Sequence, residues 1–253
     1  MTADPVGVAA ASDISADEVA TDALDRLLST RWSCRAFLPQ PIPREELDRV
    51  LDIARRTPSW CNTQPWHIDI TTGSATDALR DALREAISQG PQENPDIEFP
   101  TAYEGVYRDR RRTSGWQLYE SLGIAKGDRA ASARQTLRNF DFFDAPHVAV
   151  VTTERALGTY GAVDCGLFVN NFLLAAHSRG IGTIPQAALA TQAPVLRDYF
   201  GYPENRQVLL GISLGYPDLD DPVNAYRTER QEAGDIATFH GGPGAVGPTG
   251  ARA

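Results

Sequence analysis

Lysine is almost missing from this chain. Its 253 residues hold 24 Lys and Arg together, and only Lys126, in GIAKGDR, is lysine. A Schiff-base enzyme would rest on that one residue. A Walker A loop needs GK followed by Ser or Thr, whereas Gly127 follows Lys126. Cysteine is scarce too. Cys34, Cys61 and Cys165 form no CxxC pair, which argues against a disulfide framework and suits a reducing compartment. No apolar run is long enough to span a bilayer. Residues 1–20 are acidic and lack the basic start of a signal peptide, so a cytoplasmic location and no membrane partner are expected. Positive charge is outweighed: the formal net charge is −9 and the pI about 4.9. A nucleic-acid binder needs a basic stripe to displace counterions, so none is expected as a partner. The four histidines, His67, His147, His177 and His240, have no Cys or carboxylate at metal-ligand spacing, so no metal is expected.

What is present suits a globular core, with 42% hydrophobic residues. Residues 1–20 and the Gly/Pro-rich end, 236–253, read as flexible tails around a single domain over 21–235. A short helix is expected at 22–30, burying Leu24, Leu27 and Leu28. Pro43 opens a second helix with the stripe Leu47, Val50, Leu51 and Ala54. WHIDITT (66–72) alternates like a strand, and HVAVVTT (147–153) is β-branched. Cys165, Phe168, Val169, Phe172, Leu173 and Ala176 mark a well-buried helix ending near Gly180. QVLLGISL (207–214) reads as another buried strand. The elements interleave without a strict βαβ repeat, so the fold class is α+β or mixed α/β. Residues 91–145 are rich in arginine and aromatics, with helix expected within 102–122 and 128–139. They read as an insertion or lid.

GISLG (211–215) fits the G-x-S-x-G nucleophile elbow, but Tyr216-Pro217-Asp218 breaks the helix that must follow. A strand with small residues where another segment approaches is the better reading. RDRRR (108–112) either lines a solvated helix face or meets an anionic substrate or dinucleotide phosphate.

In RWSCRAF (31–37), Arg31, Ser33 and Arg35 sit at i, i+2 and i+4. An extended backbone points all three one way and Trp32 and Cys34 the other. Two guanidinium forks flanking a hydroxyl suit a phosphate. Arg227 and Arg230 in VNAYRTER follow the last strand and close the same site from the far side. In GIGTIPQAA (180–188), small residues let the backbone approach a flat ligand. PSWCNTQPW (58–66) follows the second helix and packs prolines, tryptophans and amides into nine positions.

Together, RWSCRAF, TPSWCNTQPWHI, GIGTIPQAAL with LLGISLGYP, and VNAYRTER resemble the FMN-dependent nitroreductase family, in the family's order. The resemblance implies a mostly antiparallel central sheet flanked by helices and an intertwined homodimer with FMN at the interface. Arg31, Trp32, Ser33 and Arg35 would hold the flavin phosphate and pyrimidine edge, and Arg227 and Arg230 would complete the clamp. Pro185 and the backbone of Gln186, Ala187 and Ala188 would lie beside the flavin ring. Pro58, Ser59, Trp60, Asn62 and Gln64 would come from the second subunit. PQAA lacks the glutamate that some members place near flavin N5, and no lysine matches the one that some aim at the ring.

The resemblance further implies ping-pong transfer of hydride from NADH or NADPH, through flavin N5, to a nitroaromatic or quinone. No side chain need act as acid or base. Tyr103, Tyr107 and Trp116 of the lid are the candidates for substrate contact. Reductive dehalogenation, dehydrogenation of a biosynthetic intermediate, or flavin binding without catalysis are the alternatives.

Overall fold

The computed structural model describes residues 16–90 and 93–240, with side chains from residue 21. The tails expected at 1–15 and 241–253 lie outside the described residues. The first helix, α1 (Ala16–Thr30), starts earlier than expected, inside the stretch read as a tail. It also leaves Leu24 and Leu28 exposed rather than buried, because among the described elements it packs chiefly on α6.

Helix α2 (Arg44–Ala54) buries Leu47, Val50 and Ala54, with Pro43 at its N-cap. A Trp60–Asn62 turn leads to β1 (His67–Thr72). Helix α3 (Ser74–Ser88) adds an element and buries Leu79 and Leu83. The expected lid helices are α4 (Gly105–Ser121) and α5 (Arg129–Leu137), neither of which buries a residue fully. Strand β2 (His147–Glu154) leads to α6 (Gly158–His177), β3 (Gly182–Gln186), the short α7 (Ala187–Ala190), α8 (Ala193–Phe200) and β4 (Arg206–Gly215).

The sheet order is β1-β2-β4-β3, and every pairing is antiparallel. Alternation along β2 splits the core. Ala149 and Val151 face α2 and α6, packing with Val50, Phe168 and Phe172. Val148 and Val150 face α3 and α8, packing with Leu79, Leu83 and Leu196. Strand β3 lies at one edge of the sheet, so Pro185 is tolerated there. Ser213 of the GISLG run lies within β4, fully buried, and its hydroxyl donates to Gln186 Oε1. No described helix is long and apolar enough to cross a membrane.

Candidate functional site: an anion cleft beside the edge strand

The segment after α1 docks along β3. Ser33 pairs with Thr183 in a parallel bridge, and Cys34 N–H donates to Thr183 O at 3.0 Å. Phe37 pairs with Pro217, and Leu38 N–H donates to Tyr216 O at 2.8 Å. Cys34 lies beneath Gly182, and burial pushes its thiol up to about 11, which leaves it inert. Asn224 pins the segment from the other side. Its Oδ1 accepts Arg35 N–H at 2.8 Å, and its Nδ2 donates to Ala36 O at 2.9 Å and Asp218 O at 2.7 Å. Neither Asn224 nor Tyr226 is among the expected site residues, although both sit in VNAYRTER beside Arg227.

Arg31, Trp32, Ser33, Arg35, Arg227 and Arg230 line one cleft of about 240 Å³. The arginine face expected of RWSCRAF is therefore brought together with both C-terminal arginines. Trp32 does not turn fully away as strict alternation predicts. It lines the cleft, with the Arg227 guanidinium 4.2 Å from its ring centroid and His177 at its edge. Arg35 Nη1 donates to Tyr226 Oη at 2.6 Å and to Ser33 O at 3.2 Å.

The cleft concentrates positive charge. No residue lining it is a carboxylate. Burial pushes Arg31 below the usual arginine range, with Arg230 pushing the same way, and burial also lowers Arg35. Arg31 Nη1 and Trp32 Nε1 are buried donors without a partner. Buried donors are normally satisfied, and leaving one unpaired costs about 1–3 kcal/mol. A phosphate would answer both the charge and the orphaned donors.

A second cavity, about 220 Å³, shares Arg35 and is lined by Tyr119, Pro185, Gln186, Ala187 and Ala188. Gln186 holds this shelf rigid through its side chain, donating to Asn139 O at 2.8 Å. Ala187 and Ala188 open α7, so their N–H groups have no helical carbonyl to meet. A flat ring resting here would meet backbone and small side chains.

The stiff 58–66 hook lies elsewhere. Cys61, Asn62 and Gln64 have φ of 51°, 55° and 48°, a costly backbone for non-glycine residues. It is held by Trp60 N–H on Asp164 Oδ2 at 3.0 Å and by Gln64 N–H on Ser59 Oγ at 2.9 Å. Pro58, Ser59, Trp60, Asn62 and Gln64 line neither cavity of this chain. Of the lid aromatics, Trp116 lines a third cavity that shares Arg35 and Tyr226. Tyr103 lines a separate apolar cavity against α6, and Tyr107 is exposed and lines neither.

Comparison with known proteins fits this geometry. A model of the nitroreductase family matches residues 28–216. The chain is 37% identical over 221 residues to a 4-nitrobenzoate reductase of Pseudomonas putida, covering 87% of this chain and 97% of that protein. It is 34% identical over 220 residues to the nitroreductase NfnB of Mycolicibacterium smegmatis, covering 86% and 92%. The crystal structure of the FMN-dependent NfnB from Mycobacterium smegmatis in complex with NADPH superposes with a TM-score of 0.83. Sequence identity is 33%, and the match covers 87% of this chain and 99% of that one.

Proposed function

The chain belongs to the nitroreductase family, and from that premise we propose that it is an FMN-dependent oxidoreductase passing hydride from NAD(P)H to a nitroaromatic acceptor. The carboxylate-free arginine cleft, with its buried unpartnered Arg31 Nη1, carries this reading on the side of the chain itself.

Arg31, Ser33, Arg227 and Arg230 would hold the phosphate of FMN by charge-assisted bonds. Arg35, fixed by Tyr226, would present a buried cation to the pyrimidine edge of the ring. Pro185 to Ala188 would form the shelf beneath it. When bound, FMN supplies the two-electron exchange at its ring nitrogen N5. The chain orients the partners and excludes water from one face. No Asp, Glu or His lines the cleft, the shelf or the Trp116 cavity. With no carboxylic acid or imidazole in these cavities, this reading takes solvent as the proton source for the reduced acceptor.

A second copy of the chain completes this reading. Tyr160, Val163 and Leu167 form a stripe on α6 that is 63%, 52% and 47% exposed, and Trp60 of the hook, 60% exposed, packs edge-on against Tyr160. Seven-residue spacing of apolar groups suits a facing helix. A dimer through this stripe would bring each hook, with Ser59, Asn62 and Gln64, toward the partner's flavin site. The preset strain of the hook lowers the ordering cost of binding. The sparse free cysteines fit a reducing compartment such as the cytoplasm.

Anaerobic addition of NADPH should bleach the flavin absorbance, and 4-nitrobenzoate should restore it. Flavin that neither donor nor acceptor perturbs would refute the reading.

A further inference from the structure

The chain builds a second cation-lined cavity, and FMN has only one phosphate to offer. About 740 Å³ in volume, this cavity lies against α4. Arg111 and Arg112 project into it from one turn of α4, and Lys126, the chain's single lysine, reaches it from the following loop. The other RDRRR arginines are engaged elsewhere: Arg108 pairs with Asp109, and Arg110 bonds Gln231. Arginines away from the two cavities are typically paired with acids, as in Arg44–Asp48, Arg138–Asp144 and Arg206–Glu154. Among the described residues, Arg111, Arg112 and Lys126 form no ion pair with a carboxylate, and none lines their cavity. That is notable in a chain with 33 acids against 24 bases. Among the described residues, the charge-directed contacts of Arg111 and Lys126 are with rings. Arg111 lies 5.1 Å from the Tyr103 centroid, and Lys126 lies 5.6 Å from that of Trp116.

We propose that Arg111, Arg112 and Lys126 read the 2′-phosphate of NADPH. The inference rests on the flavin-oxidoreductase reading above. A phosphate monoester carries about −1.5 to −2 at neutral pH, which matches three cations better than the single charge of an acceptor carboxylate does. Guanidinium forks bind its oxygens in pairs. The Trp116 ring beside the cations offers a purine a stacking surface. The cavity also shares Arg35 and Tyr226 with the anion cleft, and Leu118 and Tyr119 with the shelf. A nucleotide anchored there has a continuous route to the flavin ring.

The test uses the flavin-loaded protein and two probes, 2′,5′-ADP and 5′-AMP, followed by calorimetry. The wild type should bind 2′,5′-ADP at least tenfold tighter and prefer NADPH over NADH in kcat/KM. Arg111→Gln with Arg112→Gln should bring the two nucleotides within about twofold. Lys126→Gln should lower NADPH selectivity by threefold or more. Arg111→Lys with Arg112→Lys should retain much of it, and flavin content checks folding throughout. Equal binding of both nucleotides by the wild type, a preference for NADH, or equal loss of both nucleotides in the variants would overturn the proposal. So would variants that keep 2′,5′-ADP affinity but lose 4-nitrobenzoate reduction relative to nitrobenzene, since the cations would then serve the acceptor. Tight 2′,5′-ADP binding by a protein that neither nicotinamide reduces would sink the oxidoreductase reading and the assignment to NADPH with it, whereas equal binding of both nucleotides by a protein that both nicotinamides reduce would sink this assignment alone.

Discussion

Arg35 donates to the phenol oxygen of Tyr226 at 2.6 Å, joining positions 191 residues apart. The pair sits where the anion cleft and the Trp116 cavity meet. The bond aims a buried cation that has no carboxylate partner. Arg35→Ala should weaken FMN binding by about 10- to 100-fold, the equivalent of a charge-assisted bond of roughly 1.5–3 kcal/mol. Tyr226→Phe, which only frees the guanidinium, should cost severalfold. Flavin-fluorescence titration measures both, and an unchanged Kd in Arg35→Ala would remove that residue from the site.

Asn224 is 3% exposed and bonds three backbone groups, Arg35 N–H, Ala36 O and Asp218 O. Asn224→Ala should destabilise the chain by about 2–3 kcal/mol, lowering Tm by roughly 5–10 °C for a domain of this size. FMN retention should fall with it, because Asn224 fixes the backbone of Arg35. A variant with wild-type Tm and flavin content would show that the segment is held by other means.

Gly211 leaves room for Leu189: a Cβ there would lie 2.2 Å from Leu189 Cδ1. Leu189 follows the shelf residues directly, so Gly211→Ala should disturb both stability and flavin seating. Overpacking of this kind costs about 1–3 kcal/mol. Adding Leu189→Ala should restore part of the loss, as seen by thermal melts of the single and double variants. No rescue would place the strain elsewhere.

His147 Nε2 accepts Ile42 N–H at 2.8 Å, so the ring is neutral with its proton on Nδ1, toward Thr71 O. Burial depresses its pKa, and His177 shifts the same way through burial and the nearby Arg31 and Arg227. The unfolded chain therefore takes up protons first as pH falls. Stability should be full above the ordinary histidine pKa of about 6.5 and decline as pH drops below it toward the folded values. Melts between pH 8 and 5 measure this, and His147→Gln should flatten the slope. A flat wild-type profile across pH 7 to 5.5 would contradict it.

Leu167→Arg on the exposed α6 stripe should convert the proposed dimer to single chains and release flavin. Light scattering and absorbance of the same eluted peak report both. A variant that stays dimeric and yellow would move the interface off α6.

Much of this was legible before the fold was known. The buried strands β2 and β4 and helices α2 and α6 have unbroken apolar patterns, and a single face of a local element decides them. The arginine face of residues 31–35 was legible for the same reason. Strand β3 was not, because Pro185 argues against a strand unless the segment lies at a sheet edge. The exposed leucines of α1 misled, since an apolar stripe does not say whether its cover comes from the same chain. Asn224 and Tyr226 were missed because their partners, Arg35 and Ala36, are nearly two hundred residues away. No local spacing carries such a contact.

In the proposed site, Arg31, Ser33, Arg227 and Arg230 form a receptor for one phosphate. Titrating flavin-free protein with FMN and with riboflavin tests it most directly, because the two differ only in that group. With two or more charge-assisted bonds at stake, FMN should bind at least about a hundredfold tighter. Equal affinity for the two flavins, or binding of neither, would contradict the account.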